Sequence, residues 1–463
     1  MKSIIISIVL VLLFQTSYSL QAAPLPVEYF TKLTEFKNVA LSPKGSHLSV
    51  MSSKDGKDVL FILDRDSMKI INHVGFNGDA QVGNYHWVSD DRIVVEKHYL
   101  KGTFDHPVYY GELMAVDADG DNARYLVGYK GEMQAGSKIK KQTPVHGISR
   151  VLDPLIHDSK HMLITVDPWT ANEENFLNVY KVNVRNGKRK RISRAPAKEP
   201  IYLTDHDGQL RFAYATKDYV SYQIYQKSTE TGEWQELKSL VSSFHKFFPI
   251  SFDQSGELVY ALGSKEGEPE ALYQLSLKNG EYKLLSQDDQ VSPSRVWIDP
   301  ASKELFAVEY EPGYPNYQFV DNASPLTKRL KGFINAFSGQ QVHLVSSTYD
   351  GKFNVVLATS DKNPGDYYLY NKKKNKLAYL FSAKSWIEPN DMAEVRPIEF
   401  TARDGLQLTG YLTMPKGAKE KNLPLVVMPH GGPHDIRDWW RFNSEAQLLA
   451  NRGIAVLQVN FRG

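Results

Sequence analysis

Leu423-Pro424-Leu425-Val426-Val427-Met428-Pro429-His430-Gly431-Gly432-Pro433-His434 is the stretch on which the reading of this chain turns. Leu425 to Met428 is a short, continuous apolar run between prolines, the pattern of a parallel strand buried on both faces. It runs into a glycine-rich turn. Ser444 then opens a helical stretch with Ala446, Leu448, Leu449 and Ala450, which Asn451-Arg452-Gly453 stops. Ile454 to Val459 reads as a second buried strand that leads into Asn460-Phe461-Arg462-Gly463. Strand, helix and strand within about 40 residues is a βαβ crossover.

The turn carries the chemistry. In α/β-hydrolases the loop after this strand offers a backbone N–H to the oxyanion of a tetrahedral intermediate. Glycine suits the task because the backbone has to come within hydrogen-bond reach of a substrate oxygen with no side chain intervening. One such donor is worth about 3 kcal/mol in the transition state. His430 and His434 are four apart, but Gly431-Gly432-Pro433 between them precludes the helix that would turn both toward one zinc ion.

Upstream, Ile398-Glu399-Phe400-Thr401 and Leu406 to Leu412 flank Arg403-Asp404-Gly405 as a hairpin, and residues 386–397, with Pro389 and Pro397, read as a link. Residues 24–385 are different. A short apolar strand repeatedly ends in an Asp, Ser, Gly or Pro turn: Leu41-Ser42-Pro43, Trp87-Val88-Ser89-Asp90, Ile156-His157-Asp158 and Leu203-Thr204-Asp205, then Ser251-Phe252-Asp253, Trp297-Ile298-Asp299 and Thr348-Tyr349-Asp350. Most neighbours stand about 46 to 51 residues apart, close to the length of a four-stranded propeller blade. A wider gap of about 70 between the second and third implies an insertion near residues 128–148. Long helical periodicity is nearly absent here. The expectation is a mainly β chain: a seven-bladed (six to eight) β-propeller, then the N-terminal part of an α/β-hydrolase domain at 398–463.

No chemical site emerges from the propeller sequence. Asp117, Asp119, Asp121 and Asn122 resemble a calcium loop, but Gly120 is misplaced and no glutamate closes a twelve-residue loop, so a hairpin turn is the better reading. His157 and His161 flank a turn, and the basic run from Arg185 to Arg194 reads as one exposed hairpin. No metal and no cofactor is expected.

The chain has 463 residues, 42% of them apolar, and a formal net charge of +2, which offers no concentrated basic face for nucleic acid. Residues 1–23 read as a signal peptide: Lys2, an apolar run from Ile4 to Phe14, then small and polar residues. That run is about 11 residues, against the roughly 20 of a spanning helix. The expectation is export to the periplasm or medium, with no integral membrane anchor after cleavage. There is no cysteine, so a disulfide framework is excluded.

Propeller repeats followed by Leu423-Pro424-Leu425-Val426-Val427-Met428-Pro429-His430-Gly431-Gly432-Pro433 and by Ala455-Val456-Leu457-Gln458-Val459-Asn460-Phe461-Arg462-Gly463 resemble the prolyl oligopeptidase (S9) family of serine peptidases. The acylaminoacyl-peptidase and dipeptidyl-peptidase-like branch is the nearest. The resemblance implies a propeller that screens the active site so that short peptides enter, and a Ser, Asp, His triad with the serine in a Gly-x-Ser-x-Gly elbow. It implies Gly432 as the oxyanion donor, within a loop supported by His430, Gly431 and Pro433. The chain departs from that pattern in one respect: it holds no Gly-x-Ser-x-Gly, Ala336 standing where Ser338-Gly339 would need the earlier glycine. The triad is therefore expected beyond Gly463, and the 463 residues alone are expected to be inactive. The other function class consistent with the sequence is a non-catalytic exported propeller that binds a protein or glycan.

Overall fold

The computed structural model describes residues 24–128, 145–169, 176–216, 222–265, 267–432 and 436–461. The segment read as a signal peptide, most of the expected insertion at 128–148, and Pro433 and His434 lie outside the described residues.

Between Phe36 and Ser382 the strands form seven separate sheets, each a meander of consecutive antiparallel strands: 36–74, 80–127, 147–194, 201–236, 246–286, 295–319 and 341–382. These are blades 1 to 7. Each repeated sequence anchor marks the turn that leaves the first strand of a blade, as Ser42 follows Phe36–Leu41 and Asp253 follows Lys246–Phe252. The outermost strands carry the exposed apolar residues of the rim, among them Ile70, Tyr282 and Tyr379.

Blades hold together face to face, and the buried apolar residues fall into one cluster per interface. Met51, Leu60 and Ile62 of blade 1 meet Val82, Trp87 and Ile93 of blade 2. The series continues round to Val355 and Tyr367 of blade 7 against Val39, Leu48 and Val50 of blade 1. This last interface closes the ring without exchanging a strand. Its polar ties are the Leu41 N–H to Ser346 Oγ (2.9 Å) and the Tyr349 N–H to the Pro43 carbonyl (2.8 Å).

Blade 6 differs from the four-stranded expectation. It has three strands, followed by a helix over Pro325–Ala336. Ser324 caps the helix by accepting the Leu326 N–H, Pro325 opens it, and Leu330, Phe333 and Phe337 pack between blades 6 and 7. The spacing of Leu326, Leu330, Phe333 and Phe337 behind Ser324-Pro325 is a helical signal that the strand repeat had masked.

The loop from Asp117 to Asn122 is a hairpin turn whose carboxylate is structural. Asp117 pairs with Arg92 at 2.8 Å and accepts from the Asn122 amide, while the Arg92 guanidinium also donates to the Val184 carbonyl of blade 3. Arg92 is fully buried, and beside it Arg185 pairs with Asp91 at 2.7 Å across the same two blades.

After blade 7 a four-stranded sheet follows in the spatial order Glu394–Thr401, Gln407–Met414, Ala455–Asn460, Leu425–Val427. The first three pair antiparallel, and Leu425–Val427 runs parallel to Ala455–Asn460 with the helix Ser444–Ala450 in the crossover. Two expectations need correcting. The sheet begins at Glu394, inside the stretch read as a link, and Ile387, Met392 and Ala393 of that stretch are buried. The strand Leu425–Val427 is parallel but stands at the sheet edge, with Leu425 and Val427 more than half exposed, rather than buried on both faces. Among the described residues it pairs with one neighbour, Ala455–Asn460, so its other edge is open.

Residues before blade 1 also leave the propeller. The short helix Val27–Thr31 sends Phe30 into a cluster with Ile387, Met392, Phe442 and Leu448, and the Leu25 N–H donates to Asn451 Oδ1 at 2.7 Å. Both ends of the described chain therefore meet on the α/β side.

Blades 6 and 7 fasten that side through two buried carboxylates in the loops after their second strands. Asp361 Oδ2 accepts the Val395 N–H at 2.9 Å, and Glu311 accepts the Trp440 N–H. The Tyr411 hydroxyl lies 2.9 Å from the Gly313 carbonyl and 3.2 Å from Glu311 Oε1. A Cβ on Gly313 would come within 2.9 Å of Pro397, so the residue must be small for blade 6 to meet the sheet. Gln447 completes the seam, donating to the Asp361 and Ala393 carbonyls and accepting the Ala393 N–H.

Burial pushes the Glu311 carboxyl up to about 7, with Glu309 adding to the rise, while the Trp440 N–H, Tyr411 and Arg437 oppose it. Burial raises Asp361 in the same sense.

Two predictions follow from these contacts. Replacing Arg92 with Met leaves the Val184 carbonyl and part of the Asp117 charge unanswered, at a cost of about 3 kcal/mol; a lowered urea midpoint checks it. A carboxyl raised from 4.5 to about 7 in the docked state binds more protons there than when released. Its stabilisation is therefore full below pH 4.5 and is lost as the pH rises through 7. The junction should weaken between about pH 4.5 and 7 by up to about 3 kcal/mol, and Glu311→Gln should flatten that dependence in hydrogen exchange of Glu394–Thr401.

Candidate active site

The glycine loop is placed by the sheet edge. The Met428 N–H donates to the Leu457 carbonyl at 2.8 Å, the last hydrogen bond of the parallel pair, and Pro429 has no N–H with which to continue it. The chain then turns outward. The His430 ring stacks on Phe461 with centroids 4.1 Å apart and planes 16° from parallel, and its Nδ1 lies 2.6 Å from the Gly431 carbonyl. Gly431 and Gly432 follow, both exposed. His430 thus fixes the loop between two strand ends, those at Met428 and Asn460.

On the far side of the loop, Asp438 is tied to the end of the neighbouring strand. Its N–H donates to Asn460 Oδ1 (2.7 Å), its carbonyl accepts from Asn460 Nδ2 (3.2 Å), and its Oδ1 accepts from Gln458 Nε2 (2.7 Å). Burial raises the Asp438 carboxyl, against the Gln458 hydrogen bond and the charges of His430, Arg441 and Arg437. Asp438 Oδ2, His430 Nε2 and Arg437 Nη2 are buried without a hydrogen-bond partner. Two residues on, Trp440 returns to the seam and donates its indole N–H to the Val395 carbonyl at 3.1 Å.

Among the described residues nothing requires glycine at 431. Its φ is not positive, and a Cβ there would meet nothing within 4 Å. Gly410 is the contrast: a Cβ would come within 2.4 Å of the Gln458 carbonyl, so that glycine serves the pairing of Gln407–Met414 with Ala455–Asn460.

The structure therefore brings His430, Gly431 and Gly432 to one exposed turn at the head of the βαβ unit, while Pro433 lies outside the described residues. Asp438, Asn460 and Gln458 were not singled out in the sequence as loop supports. Asp438-Trp439-Trp440 behind a glycine turn was the available hint.

A cavity of about 670 Å³ lies elsewhere, lined by Ile156, His157, Asp205 and His206 at the turns of blades 3 and 4, on the face opposite the sheet. It is no part of the glycine loop. Among the described residues no group of three or more His, Cys, Asp or Glu could hold a metal ion, and no helix is long and apolar enough to cross a membrane.

No protein-family model matches the chain. It is similar to dipeptidyl aminopeptidase BIII of Pseudoxanthomonas mexicana, 25% identical over 437 residues that make up 93% of this chain and 59% of that enzyme. Among solved structures it resembles a prolyl endopeptidase with a TM-score of 0.63 at 14% identity, over 96% of this chain and 64% of that one. It also resembles the acylaminoacyl peptidase of Pyrococcus horikoshii, with a TM-score of 0.55 at 15% identity, over 94% and 66%. The chain spans about three fifths of the length of the curated relative, and the structural likenesses establish a shared fold. The homologues and structural neighbours of this chain are peptidases of the prolyl oligopeptidase (S9) family.

Proposed function

We propose that this chain is the propeller and the first part of the catalytic domain of an exported serine peptidase that cleaves short peptides. In this reading Gly432 donates its N–H to the oxyanion of the tetrahedral intermediate, and His430 and Gly431 hold the loop. The nucleophilic serine, then Asp and His, come from sequence after Gly463.

The observation that carries the proposal is the exposed Gly431-Gly432 turn at the head of a parallel strand. Among the described residues nothing gives a steric reason for glycine at 431, and a backbone N–H that must meet a substrate oxygen supplies one. Two further features support it. Leu425 and Val427 present an apolar edge of the kind a further strand covers. About two fifths of the curated relative that matches along 93% of this chain lies outside the match.

The reaction asked of such a site is acyl transfer. The serine oxygen attacks the scissile carbonyl while histidine takes its proton, and the carbonyl oxygen becomes an anion that the Gly432 N–H receives. Histidine then returns the proton to the leaving amine, and water repeats the sequence on the acyl-enzyme. The residues in hand would contribute the anion receptor and the wall that limits substrate size.

Sequencing the coding DNA beyond codon 463 is the direct test. An open frame with Gly-x-Ser-x-Gly within about 60 residues, then Asp and His, is the expected result. A stop codon there would instead favour a binding propeller. The 463 residues expressed alone should not turn over a chromogenic dipeptide; turnover that an organophosphonate blocks would contradict the proposed position of the triad.

A further inference from the structure

The turns that leave the first strand of each blade all lie on the face away from the α/β sheet, because the loops after the second strands, at Glu311 and Asp361, are the ones that touch it. On that distal face one contact crosses the ring. Lys303, in the turn between the first two strands of blade 6, places its Nζ 2.6 Å from Asp153 Oδ2 at the end of the first strand of blade 3. Blades 4 and 5 lie between them in the chain. Their turns join the contact: Lys303 Nζ also donates to the Asp205 carbonyl at 3.1 Å, Thr204 Oγ1 donates to the same Asp153 oxygen, and Ser251 Oγ donates to the Lys303 carbonyl at 2.7 Å.

Seven blades about an axis leave a central channel lined by the first strands. Exposed residues on those inner strands mark it, Asn84 in blade 2 and Val345 in blade 7 among them. A lysine reaching from blade 6 to blade 3 crosses this space at its distal end. The pair is well sheltered: the Asp153 side chain is 3% exposed and that of Lys303 is 22% exposed. Lys303 holds its reach through a backbone φ of +56°, a conformation that L residues adopt at a cost and keep only where the surroundings enforce it.

We propose that Lys303 and Asp153 form a bolt across the distal mouth of the propeller channel. The channel is then a blind vestibule that opens only toward the α/β sheet, and solutes larger than a few atoms reach its interior from that side alone. This inference concerns the propeller and does not depend on the proposed peptidase activity.

The absence of cysteine makes the test clean. Val345→Cys places a single thiol on the channel wall near the distal end of Gln341–Ser347. Label entering by the distal mouth has the short path to it, and label from the α/β side must cross the channel. Its rate of modification by a 5 kDa polyethylene-glycol maleimide is followed in the 463-residue chain. Adding Lys303→Ala should speed labelling about tenfold, whereas Lys303→Arg, which can still span to Asp153, should leave it near the rate of the single variant. An unchanged rate in Lys303→Ala, with near-ultraviolet circular dichroism unaltered, overturns the bolt. If Lys303→Ala does not fold, Asp153→Asn is read the same way, because it keeps an acceptor for Thr204 and loses the charge: faster labelling supports the proposal and an unchanged rate refutes it.

Discussion

Apolar contact between neighbouring blades is the interaction on which the rest of this structure depends. A blade is a small twisted sheet with two apolar faces, and neither face can be left to water. Each must meet the next blade, and the series ends only when the last blade meets the first. Here that final meeting is made by Val355 and Tyr367 against Val39, Leu48 and Val50, and no strand crosses from one blade into the other. Closure thus rests on side-chain packing and a few backbone hydrogen bonds, and the buried polar ties acquire a definite role. Arg92 joins blade 2 to blade 3, and Lys303 reaches across the axis to Asp153. Apolar packing has no direction, whereas these contacts have geometry. They set which blade faces meet and at what spacing.

The ring is also what holds the α/β part. A sheet of four strands with one short helix buries little by itself. Its order comes from the platform: Glu311 and Asp361 accept backbone N–H groups from Trp440 and Val395, Tyr411 reaches the Gly313 carbonyl, and Gln447 bridges blade 7 to Ala393. Taking a carboxylate out of water is costly, and its cost appears as the raised affinity of Glu311 for its proton. The two inner strands, Gln407–Met414 and Ala455–Asn460, are the better covered, and the edge strands Glu394–Thr401 and Leu425–Val427 carry most of the exposed residues. The glycine loop hangs from the second of these edges, so its position is inherited through the neighbouring strand and the Asp438 to Asn460 hydrogen bonds.

A division of labour results. The propeller supplies rigidity and a closed distal face, and the α/β part supplies an exposed backbone turn in which nothing among the described residues requires the glycine at 431. In the proposed peptidase the first would govern what reaches the second.

The amino-acid sequence by itself determined what depends on local period. Recurring turn anchors from Leu41-Ser42-Pro43 to Thr348-Tyr349-Asp350 marked seven blades, and strand, helix and strand from Leu425 to Asn460 marked the crossover with its Gly431-Gly432 turn. Strand alternation and helix caps are written within a few residues of one another, so a linear reading reaches them. Where two signals overlapped it failed, as at Pro325–Ala336, whose helical spacing lay inside a strand repeat. Only the tertiary structure decided which strand became an edge, where the N-terminal segment docked, and which charges met. Leu25 finds Asn451, Glu311 finds Trp440 and Asp153 finds Lys303 over separations of more than a hundred residues. No local pattern records such pairs, because their partners are chosen by the closing of the ring.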